Sequence, residues 1–234
     1  MDVAIMYSGG KDSNYAVKHA LDKGWNIKYL LSVKPTRTDC YLFHYATVEH
    51  TKLQAETLGM KHYLLGCSVA DPKQEAEIVR QFVASNEKVD AVVLGGTGLQ
   101  ATQIRSIQEA LRSHGVEVFA AHSGQDHFEV LKQMINDGFE IMITQVASEG
   151  LPQWLGKTIT KDNITQLEED ANKFGFHVGG EGGYYDSFVV NAPTFNKKIV
   201  VETEQVMEDQ YSGHVLIKKA KLVEKAEQTV KADS

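Results

Sequence analysis

Six residues near the start, Ser8-Gly9-Gly10-Lys11-Asp12-Ser13, bring together the groups that hold a polyphosphate. Glycines let backbone N–H groups approach phosphate oxygens, and a helix beginning at the end of such a loop adds free N–H groups and a favourable dipole. Ser8 and Ser13 contribute hydroxyl donors, and Lys11 contributes a positive charge. Asp12 has two readings, a ligand to Mg²⁺ or a cap on the helix. The spacing is not GxxxxGK[ST], which puts four residues between its glycines. An apolar strand over residues 3–7 precedes the loop and a helix from residue 13 follows it. That context favours phosphate binding over a plain turn with a solvated lysine.

A second glycine run, Gly95-Gly96-Thr97-Gly98, follows an apolar strand over 91–94. Loops at the C-terminal ends of parallel strands gather on one edge, where ligands bind. Gly95, Gly96 and Thr97 are therefore expected to border the same crevice, with Thr97 reaching phosphate or ribose; a simple strand-to-helix turn is the other reading. Arg105, one helical turn into the next segment beside Gln103, either neutralises a phosphate or is solvated. Should the phosphates belong to an adenine nucleotide, backbone groups near Ser32 and Val33, at the end of the second strand, are the expected readers of the base.

The elements needed to position these loops follow from hydrophobic periodicity. Residues 3–7, 27–33, 62–65, 91–94, 116–120 and 140–146 read as strands. Residues 13–23, 48–58, 73–85, 100–113 and 128–137 read as amphipathic helices, and Gly24, Gly59, Gly115 and Gly138 are placed to stop four of them. The alternation implies a doubly wound α/β fold with a parallel sheet. After residue 146 the rhythm changes to a loop, one polar helix over 161–174, a glycine cluster over 179–183 and a β-rich stretch. The expected organisation is a phosphate-binding α/β domain over 1–146, which the resemblance given below makes ATP-binding, a smaller β-containing lobe over 147–223, and a frayed tail over 224–234.

Bulk properties narrow the function classes. The 234 residues are 42% hydrophobic and carry a formal net charge of −7, with a pI near 5.7. An acidic chain of this kind is poorly suited to gripping nucleic-acid backbone. Cys40 and Cys67 lack CxxC spacing and fit reduced thiols, and no apolar run is long enough to span a bilayer. A soluble, cytoplasmic protein is expected.

The SGGKDS loop resembles the signature of the PP-loop ATP pyrophosphatases, whose fold is of the HUP-like type. Further along, Gly150-Leu151, Trp154-Leu155-Gly156-Lys157, Gly180-Glu181-Gly182-Gly183-Tyr184-Tyr185-Asp186-Ser187-Phe188-Val189 and Ala192-Pro193 occur in a familiar order. Together with the loop they resemble the diphthine–ammonia ligase family over nearly the whole chain, to about residue 200. That resemblance implies cleavage of ATP to AMP and pyrophosphate, with Mg²⁺ as the metal. The carboxylate of diphthine on elongation factor 2 would be adenylated, and ammonia would displace AMP. The chain shows no N-terminal cysteine or glutaminase-like domain, so free ammonium, or ammonia from a partner, is the expected nitrogen source.

The roles that follow place Lys11, Asp12 and Glu181 in catalysis, with Ser8 to Ser13 around the phosphates. Glu181 would bind ammonium or accept its proton. Trp154, Tyr184 and Tyr185, with Glu181 and Asp186, offer aromatic faces and carboxylates to the quaternary ammonium of diphthine. Trp154 reads equally as a packing anchor. Lys157, Gly180 and Ser187 complete the acceptor set, and the run of glycines is expected to allow close backbone approach. A homodimer is compatible with the sequence.

The chain departs from the family pattern at several places. Tyr184 stands where the second glutamate of GEGGE is usual, Asp186 and Ser187 replace glutamate and threonine, an arginine-bearing stretch reads Thr102-Gln103-Ile104-Arg105-Ser106, and a frequent tryptophan is absent around His122-Ser123. Two rivals stay open on these grounds: a PP-loop enzyme with another acceptor, such as a tRNA base or a small molecule, and an ATP- or AMP-binding regulator without turnover.

Overall fold

The computed structural model describes residues 1–36, 47–95 and 101–225, with the backbone alone over 101–103. Five parallel strands form the first sheet: β1 (Asp2–Met6), β2 (Asn26–Pro35), β3 (His62–Cys67), β4 (Ala91–Leu94) and β5 (Glu117–Ala120). Their order is β3-β2-β1-β4-β5. The chain runs outward from β1 to β3, then crosses back to β4, so a crevice opens at the C-terminal ends of β1 and β4. The intervening helices are α1 (Lys11–Asp22), α2 (Thr51–Leu58), α3 (Pro72–Ser85) and α4 (Ala101–Leu111).

Strand alternation divides the apolar residues between two cores. Val3, Ile5 and Tyr7 enter one, while Ala4 and Met6 enter the other beside residues of α3 and α4 such as Val79 and Ile107. The expected glycine stops hold, since Gly24, Gly59, Gly115 and Gly138 take φ of 67, 66, 66 and 96°. The helix after the phosphate loop begins at Lys11 rather than at Ser13, which places Lys11 and Asp12 in its first turn.

One expectation is overturned. The strand–helix alternation puts residues 140–146 with the parallel strands, yet β6 (Glu140–Ala147), reached through α5 (His127–Asn136), lies in a second sheet. There it runs antiparallel to β7 (Thr158–Ile159), β8 (Tyr185–Asn191) and β10 (Ser212–Glu224). Strand β9 (Lys197–Met207) pairs with β10. The reason is that β6 is buried on both faces over Ile141–Thr144, and an apolar run of that type does not reveal the direction of its neighbours. Helix α6 (Ile164–Phe174) packs Leu167 and Ala171 into the same core as β1, α1 and β8. The C-terminal sheet therefore closes over the face of the first sheet that carries α1. Strand β10 also continues to Glu224, which pairs with Lys197; residues 226–234 lie outside the described residues.

Candidate active site

The phosphate loop is held open by contacts from both sheets. Gly9 has φ +84°, a conformation that side chains rarely adopt. Its carbonyl accepts from the Val189 N–H at 3.0 Å, from the Gln54 amide at 2.8 Å and from the Asn14 amide at 3.2 Å. Asn14 is fixed in turn by the Tyr7 hydroxyl, which donates to its Oδ1 at 2.8 Å. The loop N–H groups are met by serine hydroxyls: Gly9 donates to Ser13 Oγ at 3.0 Å, Gly10 to Ser8 Oγ at 3.4 Å and Lys11 to Ser187 Oγ at 3.1 Å. Hydroxyl oxygens rotate easily, so a phosphate can replace them at small cost.

The second strand-end loop abuts this turn. A Cβ on Gly95 would lie 2.4 Å from the Asp12 carbonyl carbon and 2.6 Å from Ser13 N. Only glycine lets these two backbones meet. Gly96 and Thr97 lie outside the described residues, as does Cys40. Ser32 is buried, and its hydroxyl donates to the Tyr7 carbonyl while Thr51 Oγ1 and His62 Nε2 stand at 3.1 and 2.8 Å. That side chain anchors the entry to the loop, and strand β2 runs past it to Pro35.

Around Lys11 the chain assembles a charged cluster. The Lys11 side chain, 8% exposed, places Nζ 2.8 Å from Asp12 Oδ2 and 3.7 Å from Glu181 Oε1. Burial acts to lower its pKa, but Asp12, Tyr185 and Glu181 outweigh that, and the ammonium is held charged well above its usual range. Glu181 is 4% exposed, and His127 Nδ1 lies 3.2 Å from the same Oε1, an ion-pair approach not aligned as a hydrogen bond. Tyr185 is buried and donates its hydroxyl to Val178 O at 2.7 Å; burial first, with the Asp12 and Glu181 charges, pushes its phenol up.

Three histidines that the sequence reading did not assign to the site complete it. His127 is the first residue of α5, and Asp126 caps that helix by accepting from Phe128 N and Glu129 N, both at 2.9 Å. The His127 ring stacks on His122 at 6.1 Å and meets the edge of His177 at 5.3 Å. His122 is 2% exposed, with Nε2 3.5 Å from Asp12 Oδ1. That approach makes no hydrogen bond, and both ring nitrogens are without a partner among the described residues. Burial lowers its pKa to about 4 against the pull of Asp12, so the ring is neutral near pH 7.

The acceptor residues divide. Ser187, Tyr185 and Glu181 join Lys11. Trp154 is a packing anchor, buried, with its indole N–H donating to Asp170 Oδ2 at 2.8 Å, and Lys157 lies exposed over its ring at 5.4 Å. Tyr184 is half-buried against the core, and Asp186 is half-buried opposite Gln145. Arg105 is exposed on α4 and lines a cleft with Arg112, Glu117 and Phe119 along the edge strand β5. The glycine run answers to backbone shape: Gly180, Gly182 and Gly183 take φ of 75, 83 and 85°, and Tyr185 fills the space beside Gly180. Close approach by a ligand is not needed to explain them.

Among the described residues no group of three or more His, Cys, Asp or Glu side chains is arranged to hold a metal ion. Also among them, no helix is long and apolar enough to cross a membrane.

A glycine turn between β1 and α1, closed by a strand of a second sheet, marks the chain as an α/β enzyme of the PP-loop type. The chain belongs to the diphthamide synthase family: the family's N-terminal domain matches residues 1–118 and its C-terminal domain residues 126–223. The human diphthine–ammonia ligase is 29% identical over 231 residues, covering 88% of this chain and 85% of that protein. The rat protein of the same name is similar to the same extent. The fission-yeast (Schizosaccharomyces pombe) diphthine–ammonia ligase is 27% identical, with 94% of this chain but 39% of that longer protein covered. A solved structure from Methanocaldococcus jannaschii, described as a subunit of tRNA methyltransferase, overlaps at TM-score 0.46 and 14% identity, covering 82% of this chain and 98% of that one. The protein is thus an ATP-using ligase of diphthamide synthesis.

Proposed function

We propose that the protein adenylates the carboxylate of diphthine on elongation factor 2, releases pyrophosphate, and transfers ammonia to the activated carboxyl with loss of AMP. The observation that carries this reading is the meeting of Lys11 with Glu181 at 3.7 Å. It joins the phosphate turn to the lobe that carries the acceptor-type residues, so activation and transfer would take place side by side.

Ser8, Gly9, Gly10 and Ser13 would wrap the phosphates with backbone N–H and hydroxyl groups, and Lys11 would neutralise charge on the departing pyrophosphate. Gly95, with Gly96 and Thr97, would border the adenylate, and backbone groups beside Ser32 would face the base. Asp12 suits Mg²⁺, which is commonly held by one or two carboxylates together with substrate phosphates rather than by an all-protein cage. When bound, the metal would supply charge neutralisation on the phosphates. Tyr184, just before β8, and Asp186 within it are both half-buried and would offer an aromatic face and a carboxylate to the quaternary ammonium. Elongation factor 2 as acceptor would place the protein in the cytoplasm.

The test is release of labelled AMP and pyrophosphate from Mg-ATP with diphthine-bearing elongation factor 2 and ammonium. Formation of ADP and orthophosphate instead would overturn the reading. AMP release with tRNA alone would point to a base-modifying enzyme, and ATP binding without turnover to a regulator.

A further inference from the structure

His127 lies beside the buried carboxylate of Glu181 and is the more exposed of the two. Its Nδ1 lies 3.2 Å from Glu181 Oε1, and its side chain is 14% exposed where Glu181 is 4%. A carboxylate this close to Nδ1 draws the proton of the neutral ring to that nitrogen and leaves the Nε2 lone pair to accept another, the arrangement of a general base, and such contacts tighten into hydrogen bonds when substrate binds. Glu181 itself is poorly placed for that work. Its Oε1 is shared between the Lys11 ammonium at 3.7 Å and the His127 ring at 3.2 Å. The packing around the ring is built closely: Asp126 caps the helix that begins at His127, and a Cβ on Gly179 would lie 3.0 Å from the His127 Cβ.

We infer that His127 is the base that deprotonates ammonium at this site, with Glu181 as its positioning residue. The inference rests on the amide-forming reading above and assigns its nitrogen-activating step. Ammonium gives one proton to His127 Nε2. The freed lone pair forms the C–N bond to the acyl carbon as the C–O bond to AMP breaks, its electron pair leaving with AMP. The second proton, shed as the nitrogen becomes an amide, passes to solvent water. The charged and titratable groups facing His127 are Glu181, His122, His177 and the preceding Asp126, with Lys11 beyond Glu181. The neutral His122 ring and the His177 ring, whose pKa burial lowers first and His127 next, add no fixed positive charge that would repel ammonium.

The experiment compares the wild type with His127→Gln on diphthine-bearing elongation factor 2. Three readouts are taken: ATP–pyrophosphate exchange without a nitrogen donor, amide formation from ammonium, and hydroxamate formation from hydroxylamine, which is uncharged near pH 7. The variant is expected to keep exchange within about threefold and to lose amide formation by about 10²-fold, the usual scale for a general base. Hydroxamate formation should stay near wild type, and the amide defect should shrink as rising pH supplies free ammonia. Equal loss with both nucleophiles, or no loss with either, would overturn the role of His127. Should His127→Gln also lose exchange, His127→Ala with added imidazole decides: restored amide formation supports the base, and no restoration overturns it. A wild type that exchanges pyrophosphate but forms no amide or hydroxamate refutes the ligase reading itself, which separates that failure from this one.

Discussion

The Lys11 amide donates to Ser187 Oγ at 3.1 Å, across 176 residues of chain. This bond ties the first turn of α1 to β8, and it occurs where β6 carries a bulge. Ser187 pairs with Ile143 and Asp186 with Gln145, leaving Thr144 as the extra residue. Bulges of this kind re-aim side chains and recur beside active sites. Ser187→Ala should leave a helix N-terminal N–H unmet and lower the stability of the ligand-free protein by about 1 kcal/mol. Ser187→Thr should restore most of it. Denaturant midpoints measure both, and an unchanged midpoint in the alanine variant would mean the contact contributes nothing.

Lys11 carries the charge argument. Lys11→Met keeps the length of the side chain and removes its charge, leaving Asp12 and Glu181 facing each other without a cation. Pyrophosphate release should fall by about 10²-fold or more, as on losing one preorganised donor. Stability should fall by about 3 kcal/mol, since a buried charge loses its partner. The paired variant Lys11→Met with Glu181→Gln should regain stability but not pyrophosphate release. Recovery of both would make the lysine structural only.

Much of the site was legible because its chemistry is local. A strand, two glycines, a lysine and a helix start lie within a dozen residues, so their joint meaning survives without tertiary knowledge. Ser187 and Glu181 were legible through the glycine-rich segment around them. His122, His127 and His177 were not, because no spacing links them. They come from the end of β5, the start of α5 and the loop before β8, and only packing brings them together. Gln54 is similar: a single amide on α2 that bridges Gly9 O and Val189 O, both at 2.8 Å, gives no periodic signal. Strand β6 was visible as a strand but not as a member of the second sheet, since burial on both faces suits either.

Gly95 offers a test of the contact between the two strand-end loops. The atoms that a Cβ would meet are backbone of Asp12 and Ser13, which cannot turn aside as a side chain could. Gly95→Ala should therefore push the N-terminus of α1 and cost roughly 1–3 kcal/mol, the usual scale of overpacking. The apparent KM for ATP should rise with it. Gly66 on β3 supplies the control, having nothing within 4 Å of an added Cβ and no left-handed φ. Gly66→Ala is expected to stay within about 0.5 kcal/mol of wild type in a chemical-denaturation series. If the two variants behaved alike, the close approach at Gly95 would be without consequence.

His122 makes stability depend on pH in a known direction. Its folded pKa, lowered to about 4 by burial, lies below the ordinary histidine value of 6.5. Between those values the unfolded chain binds a proton that the folded chain refuses, so stability rises with pH there. The contribution is complete above about pH 6.5 and is lost progressively as pH falls towards about 4, by about 2–3 kcal/mol for a shift of this size. Replacing the ring by one that cannot ionise removes this dependence. His122→Phe should flatten the profile between pH 6.5 and 4 and leave the carboxylate-driven loss at lower pH. Unfolding midpoints of the ligand-free protein across that window decide the matter, and parallel profiles for wild type and variant would show that the buried ring takes up its proton without cost to the fold.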